Sequence, residues 1–270
     1  MIFNRASVGA LCFWHDIISI MLRVLIIVIG LSIGSFVNVL IARTPSGKKI
    51  SGRSKCPECG VAIRWYDLVP ILSFVVLYGR CRACGRRISW RYPLVELITV
   101  AVFGVLFLMA GGAFTFQLFF LWVISAGLIA LAGCDLEKFI LPDSLIAGLS
   151  AFVLVFKAVT SPSELISMCV TGFLLALGFG ILFLVSRGSW LGLGDVKLAF
   201  LVGLILNYPL AIVVVLGAIW SAAIVGVILV AIRRASFKSA LPFGTFLAGA
   251  SVVAITFNNE IIKFSEHLFR

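Results

Sequence analysis

The fold of this chain is decided around the stretch Gly192-Leu193-Gly194-Asp195-Val196-Lys197, which sets one carboxylate beside two glycines between long apolar segments. A second acidic cluster, which includes Asp135, lies at the edge of another apolar segment. An ionisable side chain at a membrane boundary is costly, and it usually has a function. Two aspartates that meet in space can act as an acid–base pair. We therefore interpret the chain as a scaffold that brings Asp135 and Asp195 together.

The composition is typical of a polytopic membrane protein. Of the 270 residues, 62% are hydrophobic and 12% are charged, whereas a soluble domain has roughly 25% charged residues and about half apolar ones. The net charge of +11 could indicate a nucleic-acid partner. However, the basic residues cluster in one loop beside apolar segments, where the positive-inside rule already explains them. The sequence therefore predicts a lipid bilayer as partner and no nucleic acid.

The apolar segments predict an all-α polytopic membrane protein with about eight transmembrane helices. The sixth segment is short, and Pro209 could instead kink one long, bent helix that includes the seventh. The predicted spans are 17–42, 93–111, 115–134, 141–160, 165–186, 196–206, 210–232 and 242–258.

The loop charges predict how these spans are oriented. Four loops that contain Lys or Arg fall on one side, which we assign to the cytoplasm, and the opposite loops contain neither. Lys157, Lys263 and Arg270 fall on the other side and oppose this assignment. The orientation places Asp135 and Asp195 at the same cytoplasmic face. The basic loops are 43–91, 135–140, 187–195 and 233–238.

The two aspartates have the chemistry of a hydrolytic pair. Two carboxylates that share a site cannot both ionise easily, so one can draw a proton from water while the other polarises a scissile carbonyl. Gly192 and Gly194 leave room for an extended peptide backbone, and Lys197 could stabilise the charged form of Asp195 or bind substrate. Alternatively, Asp195 merely caps the N-terminus of a helix.

Two Cys-x-x-Cys pairs, Cys56-Pro57-Glu58-Cys59 and Cys81-Arg82-Ala83-Cys84, predict a zinc-ribbon-like metal site. Each is followed by a glycine, which permits a tight turn. All four ligands are cysteines, so the zinc is structural and has no open coordination position. The alternative is a pair of disulfides, but thiols stay reduced in a cytoplasmic loop.

Two further features complete the candidate sites. Glu96 lies just inside the second predicted span and could bind a positive group such as a free amino terminus, or form an ion pair with Arg91. Leu68 to Tyr78 is apolar but too short to span, so it packs against the bilayer surface or into a small core. The chain contains no Gly-x-Ser-x-Gly and no His-Glu-x-x-His, which excludes common serine hydrolases and zinc metalloproteases.

An ordered set of motifs resembles the type IV prepilin peptidases, which are bifunctional leader peptidases and N-methyltransferases. The sequence departs from their pattern at Leu68, where Asn is common, and at Thr245, where Pro is common. The matching motifs are Gly34-Ser35-Phe36-Val37-Asn38-Val39, both cysteine pairs, Trp65-Tyr66-Asp67, Arg91-Tyr92-Pro93 with Glu96, Asp135 to Asp143, the Gly192-x-Gly194-Asp195-x-Lys197 motif and Pro242-Phe243-Gly244.

The resemblance implies a multi-pass intramembrane aspartic protease of the bacterial cytoplasmic (inner) membrane. Such an enzyme removes the basic leader of type IV prepilins or type II secretion pseudopilins after a glycine, on the cytoplasmic side. It then methylates the new amino terminus with S-adenosylmethionine. By this resemblance Asp135 and Asp195 form the catalytic dyad, and Cys56, Cys59, Cys81 and Cys84 bind Zn²⁺.

The resemblance also implies a domain division and leaves two alternatives open. Residues 1–42 form an N-terminal segment with the first span, residues 43–91 a cytoplasmic zinc-binding, methyltransferase-associated domain, and residues 92–270 a transmembrane aspartic peptidase domain. The first alternative is an intramembrane aspartyl protease with other substrates, similar to preflagellin or signal-peptide peptidases. The second is a non-enzymatic carrier in which the carboxylates relay protons or cations.

Overall fold

The structure, a computed structural model, describes residues 5–234, 236 and 239–257, with side chains from residue 17 onward. Lys238, Lys263 and Arg270, which entered the orientation argument, lie outside the described residues. Within those ranges the regular structure is helical, without a β-strand. The α-helices are α1 (Arg5–Arg43), α2 (Leu72–Val76), α3 (Arg91–Met109), α4 (Phe116–Lys138), α5 (Asp143–Thr160), α6 (Leu165–Val185), α7 (Leu193–Leu206), α8 (Leu210–Ala231) and α9 (Phe243–Thr256).

The predicted all-α membrane architecture is confirmed, although the number of spans is not. Every predicted span contains a helix, but among the described residues six are long and apolar enough to cross a bilayer: α1, α3, α4, α5, α6 and α8. Helices α7 and α9 have 14 residues each, or about 21 Å at 1.5 Å per residue, which is less than the hydrocarbon thickness of about 30 Å. Helices α7 and α8 are separate, because Asn207 has a φ of 56° and ends α7.

The chain divides into two compact units. The first comprises Met1–Phe36 and Arg53–Phe114 and contains most of α1, the cysteine segment, α2 and α3. In this unit α1 and α3 approach closely, because a Cβ at Gly34 would lie 2.7 Å from the Cα of Glu96. Small residues at such positions let helix backbones come together without a hydrophobic driving force in lipid.

The second unit comprises Val37–Gly52 and Thr115–Arg270 and contains the end of α1 together with α4 to α9. Its core lies between α4, α7 and α9, where Leu131, Leu201 and Leu247 are fully buried. Helices α6 and α7 are in backbone contact, since a Cβ at Gly203 would lie 2.5 Å from the Cα of Gly172. This packing gathers the C-terminal end of α4 and the N-terminal ends of α7 and α9.

Candidate functional site

Asp135 lies in the last turn of α4 and is 6% exposed. Its Oδ2 accepts the backbone N–H of Thr245 at 2.7 Å and the Thr245 hydroxyl at 3.1 Å. The same hydroxyl lies 3.1 Å from the carbonyl oxygen of Ala132, so one proton serves two acceptors. Thr245 belongs to the first turn of α9, where unpaired N–H groups and the helix dipole stabilise negative charge. The carboxylate of Asp135 is therefore bound at the N-terminus of α9.

Asp195 lies in the first turn of α7 and is partly buried. Its Oδ2 accepts the backbone N–H of Gly192 at 3.0 Å, so the residue does cap its own helix, as the alternative interpretation expected. Capping engages one carboxyl oxygen and leaves Oδ1 for another partner. Asp135 and Asp195 are close enough for their negative charges to repel each other, which is consistent with two carboxyl groups of one site.

Leu141 packs against a glycine beside each aspartate. A Cβ at Gly194 would lie 3.0 Å from the Cβ of Leu141, and a Cβ at Gly244 would lie 2.9 Å from its Cδ1. The Gly244 position is also crowded by Asp135, whose Oδ2 would be 3.0 Å from the added carbon. The space at Gly194 is thus filled by Leu141, whereas the sequence argument reserved it for a substrate backbone. Gly192 differs, because it is exposed and a Cβ there would lie at an ordinary 3.5 Å from Asp195 Oδ2.

Lys197 binds Asp143. Its Nζ lies 2.7 Å from both carboxyl oxygens of Asp143, the first residue of α5. The sequence left open whether Lys197 stabilises Asp195 or binds substrate, and the structure gives its ammonium a different partner. Because both side chains are exposed, the pair contributes little stability, but it joins the first turns of α5 and α7.

Sequence reasoning missed Leu141, Gly244 and Thr245 as parts of this site. Thr245 is 110 positions from Asp135, so no local spacing connects them. The detectable signal was Pro242, which precedes an apolar run and indicates a helix start. A helix start near an acidic residue at the same membrane face is a candidate anion-binding position.

The four cysteines of the first unit form a compact cluster. The Sγ atoms of Cys56, Cys59, Cys81 and Cys84 lie within 4.8 Å of one another, and the Sγ atoms of Cys56 and Cys84 are 3.9 Å apart. Tetrahedral zinc with Zn–S bonds of about 2.3 Å separates its sulfurs by about 3.8 Å. All four thiols are free, so the disulfide alternative is not formed. The donor set and spacing fit a structural divalent metal.

The two halves of the cluster repeat one turn. The N–H of Gly60 donates to the carbonyl of Cys56, and the N–H of Gly85 donates to that of Cys81, both at 2.9 Å. Gly60 and Gly85 have φ values of 71° and 69°, which only glycine adopts at no steric cost. Each half also has one isolated antiparallel bridge, between Lys55 and Ala62 in the first and between Arg80 and Arg87 in the second. The glycine after each pair thus has the role that the sequence predicted.

The thiols compete for negative charge. Backbone N–H groups of Cys84 and Ala83 lower the pKa of Cys81 to about 7. The N–H of Arg86 opposes the shift at Cys84, but desolvation and the neighbouring thiols raise the pKa of Cys84 to about 11. A divalent cation would hold all four as thiolates, because metal ligation requires the deprotonated form.

An ion pair supports the second turn of the cluster. Arg82 donates to Asp67 through Nη2 at 2.7 Å and through Nε at 3.0 Å. The hydrogen bonds from this guanidinium lower the pKa of Asp67. A bidentate pair of this kind fixes orientation as well as charge, so it holds the turn of Cys81 against the 3-10 helix Trp65–Leu68.

Glu96 is 7% exposed and lies in the second turn of α3. Its Oε2 accepts the backbone N–H of Ile71 at 2.8 Å, and the Ser35 side chain also hydrogen bonds to the carboxyl. Ile71 has a φ of 58°, an unfavourable conformation for a β-branched residue that surrounding contacts must hold. Glu96 therefore fixes the entry to α2, and its predicted role in binding an amine remains a prediction.

Comparisons with known proteins divide the chain in the same order as its motifs. Residues 28–110 match the family described as "Bacterial Peptidase A24 N-terminal domain", and residues 122–227 match the "Type IV leader peptidase family". No solved structure matches the chain.

Curated relatives cover most of this chain. A protein of Myxococcus xanthus is 36% identical over 76% of this chain and 62% of its own length. One from Burkholderia pseudomallei is 32% identical over 94% of this chain and 91% of its own. One from Bacillus subtilis is 31% identical over 89% of this chain and 96% of its own length. Each of the three is named prepilin leader peptidase/N-methyltransferase.

Proposed function

This chain belongs to the type IV leader peptidase family, and we propose that it cleaves the leader of prepilins or type II secretion pseudopilins through Asp135 and Asp195. The names of its relatives support both leader cleavage and N-methylation. The observation that carries the assignment of residues is the pair of carboxyl groups, each bound at the N-terminal turn of a helix within one helical unit.

Cleavage needs one proton shared between the two carboxyl groups. The ionised carboxyl accepts a proton from water, and the resulting hydroxide attacks the scissile carbonyl carbon. The protonated carboxyl donates to the carbonyl oxygen, which forms a neutral tetrahedral intermediate. The C–N bond then breaks as the first carboxyl gives its proton to the nitrogen, while a hydroxyl of the intermediate gives its proton to the second carboxylate, which releases the leader as a carboxylic acid and restores the pair. Because Oδ2 of each aspartate already accepts a backbone N–H, we assign the proton exchange with water and substrate to Oδ1.

The surrounding residues position this pair. Gly192 is exposed at the start of α7, so an extended substrate backbone can approach Asp195 there. Gly194 accommodates Leu141, and Lys197 holds the first turn of α7 to α5 through Asp143. We assign Lys197 and Gly194 to positioning rather than to chemistry, because their contacts are with the protein.

Methylation follows cleavage chemically. The new terminal amine must lose a proton before it can accept a methyl group, which S-adenosylmethionine would supply when bound. The described residues assigned to cleavage do not enter this step. Glu96 remains the candidate for holding the amine before transfer, and Glu96→Gln tests this if methylation falls while cleavage persists.

Zinc is the metal that the cysteine cluster fits best. Four thiolates in a closed tetrahedral arrangement are typical of structural zinc sites. The metal would stabilise the segment 43–91, which is too small to hold a fold through apolar burial alone. This assignment supports the division into an N-terminal segment (1–42), a zinc-binding domain (43–91) and a peptidase domain (92–270).

The chain is a multi-pass protein of the bacterial inner membrane, and we propose that the aspartates face the cytoplasm. Lys138 ends α4, and Arg187 and Arg233 follow α6 and α8, so all three lie at the C-terminal ends of these helices, as Asp135 does in α4. Positive charge in short loops is retained on the cytoplasmic side. A basic prepilin leader would then meet the aspartates without crossing the membrane.

Mass spectrometry of a prepilin co-expressed with this protein tests the function. The prepilin carries a basic leader and a Gly–Phe junction, and we expect a product that begins with methylated phenylalanine. Asp135→Asn and Asp195→Asn should each leave the prepilin intact, whereas Glu164→Gln, an exposed acid that pairs with Lys157, should not. Cleavage in both of the first two variants would rule out the dyad. An intact prepilin with the unchanged protein would favour the protease of other substrates, or the carrier.

A further inference from the structure

The short helix α2 carries an apolar face toward the outside of the first unit. Leu72, Val75 and Val76 are 60%, 61% and 59% exposed. These positions are i, i+3 and i+4, so they lie on one face of the helix. We call them the α2 face. A helix at the surface of a water-soluble protein shows the opposite arrangement, with its apolar face buried. The α2 face is therefore not typical of a surface that contacts water.

The inner side of α2 is packed. The ring of Phe74 lies 4.9 Å from the ring of Trp90, measured between centroids, and a Cβ at Gly79 would lie 3.0 Å from Phe74. The sequence left open whether the segment Leu68 to Tyr78 joins a small core or meets the bilayer surface. The structure divides it: Phe74 packs inward, while the α2 face remains uncovered within the unit.

The depth of α2 follows from its bond to α3. Oε2 of Glu96 accepts the N–H of Ile71, the residue directly before α2. Glu96 is five positions into α3, which is a candidate membrane span beginning at Arg91, so it lies about 7.5 Å along the helix axis. The start of α2 therefore lies beside the first turns of a span and not beyond its end.

Aromatic and basic residues around α2 match a membrane interface. Trp90 directly precedes α3 and is 76% exposed, and Tyr78 follows α2 and is also exposed. Trp and Tyr are enriched at the level of the lipid headgroups. Arg80, Arg86 and Arg87 follow in the same unit and are exposed, and such clusters attract anionic lipid headgroups.

We propose that the α2 face is inserted into the interfacial region of an anionic phospholipid leaflet and seats the cysteine cluster on the membrane surface. The apolar side chains contact acyl chains, Trp90 and Tyr78 lie among the headgroups, and the arginines contact lipid phosphates. This surface is independent of the two aspartates, which belong to the other unit.

Photo-crosslinking in lipid nanodiscs tests the proposal on the full-length protein. p-Benzoylphenylalanine replaces Val75, or replaces Val61 as a control in the first cysteine turn, in discs of phosphatidylcholine and phosphatidylglycerol. We expect a protein–phospholipid adduct by mass spectrometry at Val75 in several-fold greater yield than at Val61. Equal yields, or no lipid adduct at Val75, would overturn the proposal. A crosslinked dimer would overturn it too, because a second copy would then occupy the face.

Trypsin cleavage provides a second measurement. In discs that contain phosphatidylglycerol, cleavage after Arg86 and Arg87 should be several-fold slower than in discs of phosphatidylcholine alone. Val75→Glu should abolish that difference while the zinc content is unchanged, because the charge keeps α2 out of the leaflet. A rate that does not depend on lipid charge in the unsubstituted protein would contradict the proposed contact with headgroups.

Discussion

Gly244→Ala should reduce leader cleavage without removing either aspartate. The new Cβ would lie 3.0 Å from Oδ2 and 3.1 Å from Cγ of Asp135, and 2.9 Å from Cδ1 of Leu141. Leu141 can yield by rotating the far end of its side chain. Oδ2 of Asp135 cannot yield as easily, because it is held by the N–H and the hydroxyl of Thr245. The substitution therefore acts on the carboxyl group.

The structure sets the size of this effect. Carbon contacts are comfortable from about 3.5 Å, so the carboxyl must retreat by about half an ångström and lengthen its 2.7 Å bond to Thr245. Overpacking of this kind costs about 1–3 kcal/mol, and a misplacement of about 1 Å at a reacting group can cost about 100-fold in rate. We expect kcat to fall about tenfold to 100-fold, with a smaller change in KM.

The assay compares purified variants on one prepilin substrate, and Gly249→Ala is the matched control. Gly249 belongs to the same helix, and a Cβ there meets no atom within 4 Å. It introduces the same change in backbone freedom without the contact to Asp135. If Gly244→Ala cleaves at the rate of the unchanged protein, or if both variants lose activity equally, the placement of Asp135 against α9 is refuted.

Three further changes probe other contacts. Thr245→Val removes the hydroxyl but keeps the N–H. We expect kcat to fall about tenfold, because a hydrogen bond to a charged group contributes about 1.5–3 kcal/mol. Thr245→Ser keeps a hydroxyl and should retain the kcat of the unchanged protein. Cys59→Ser should lower the zinc content well below one ion per chain in elemental analysis and lower Tm, whereas Cys169→Ser should change neither. Gly203→Leu should reduce the yield of folded protein in detergent, because its Cβ would already lie 2.5 Å from the α6 backbone. Gly217→Leu should not, because a Cβ there would meet nothing within 4 Å.

Local sequence features predicted the helices and the cysteine cluster. An apolar run specifies a membrane helix wherever it occurs, because every backbone polar group must be paired within lipid. Likewise, a Cys-x-x-Cys-Gly turn brings two thiols together by itself, so two such turns predicted the cluster of Cys56 and Cys84 before any fold was known. Length was harder to judge: α7 and α9 are apolar, but each has only 14 residues.

The contacts around the aspartates could not be predicted, because they depend on packing between distant helices. Lys197 is two positions from Asp195, yet it binds Asp143, since residues two apart on a helix face different directions. Gly194 appeared to be an opening for substrate, yet Leu141 occupies that space. Proximity in sequence therefore did not indicate either contact.

The position of each aspartate explains how a carboxyl group near apolar helices can keep a charge and a fixed orientation. A carboxylate near hydrocarbon is expensive unless donors replace its water, and the first turn of a helix supplies unpaired N–H groups at no further cost. Asp195 uses the first turn of its own helix, but Asp135 uses that of α9. The geometry of the pair therefore depends on how α9 packs against α4, so substitutions at the start of α9 should affect catalysis as directly as those beside Asp195.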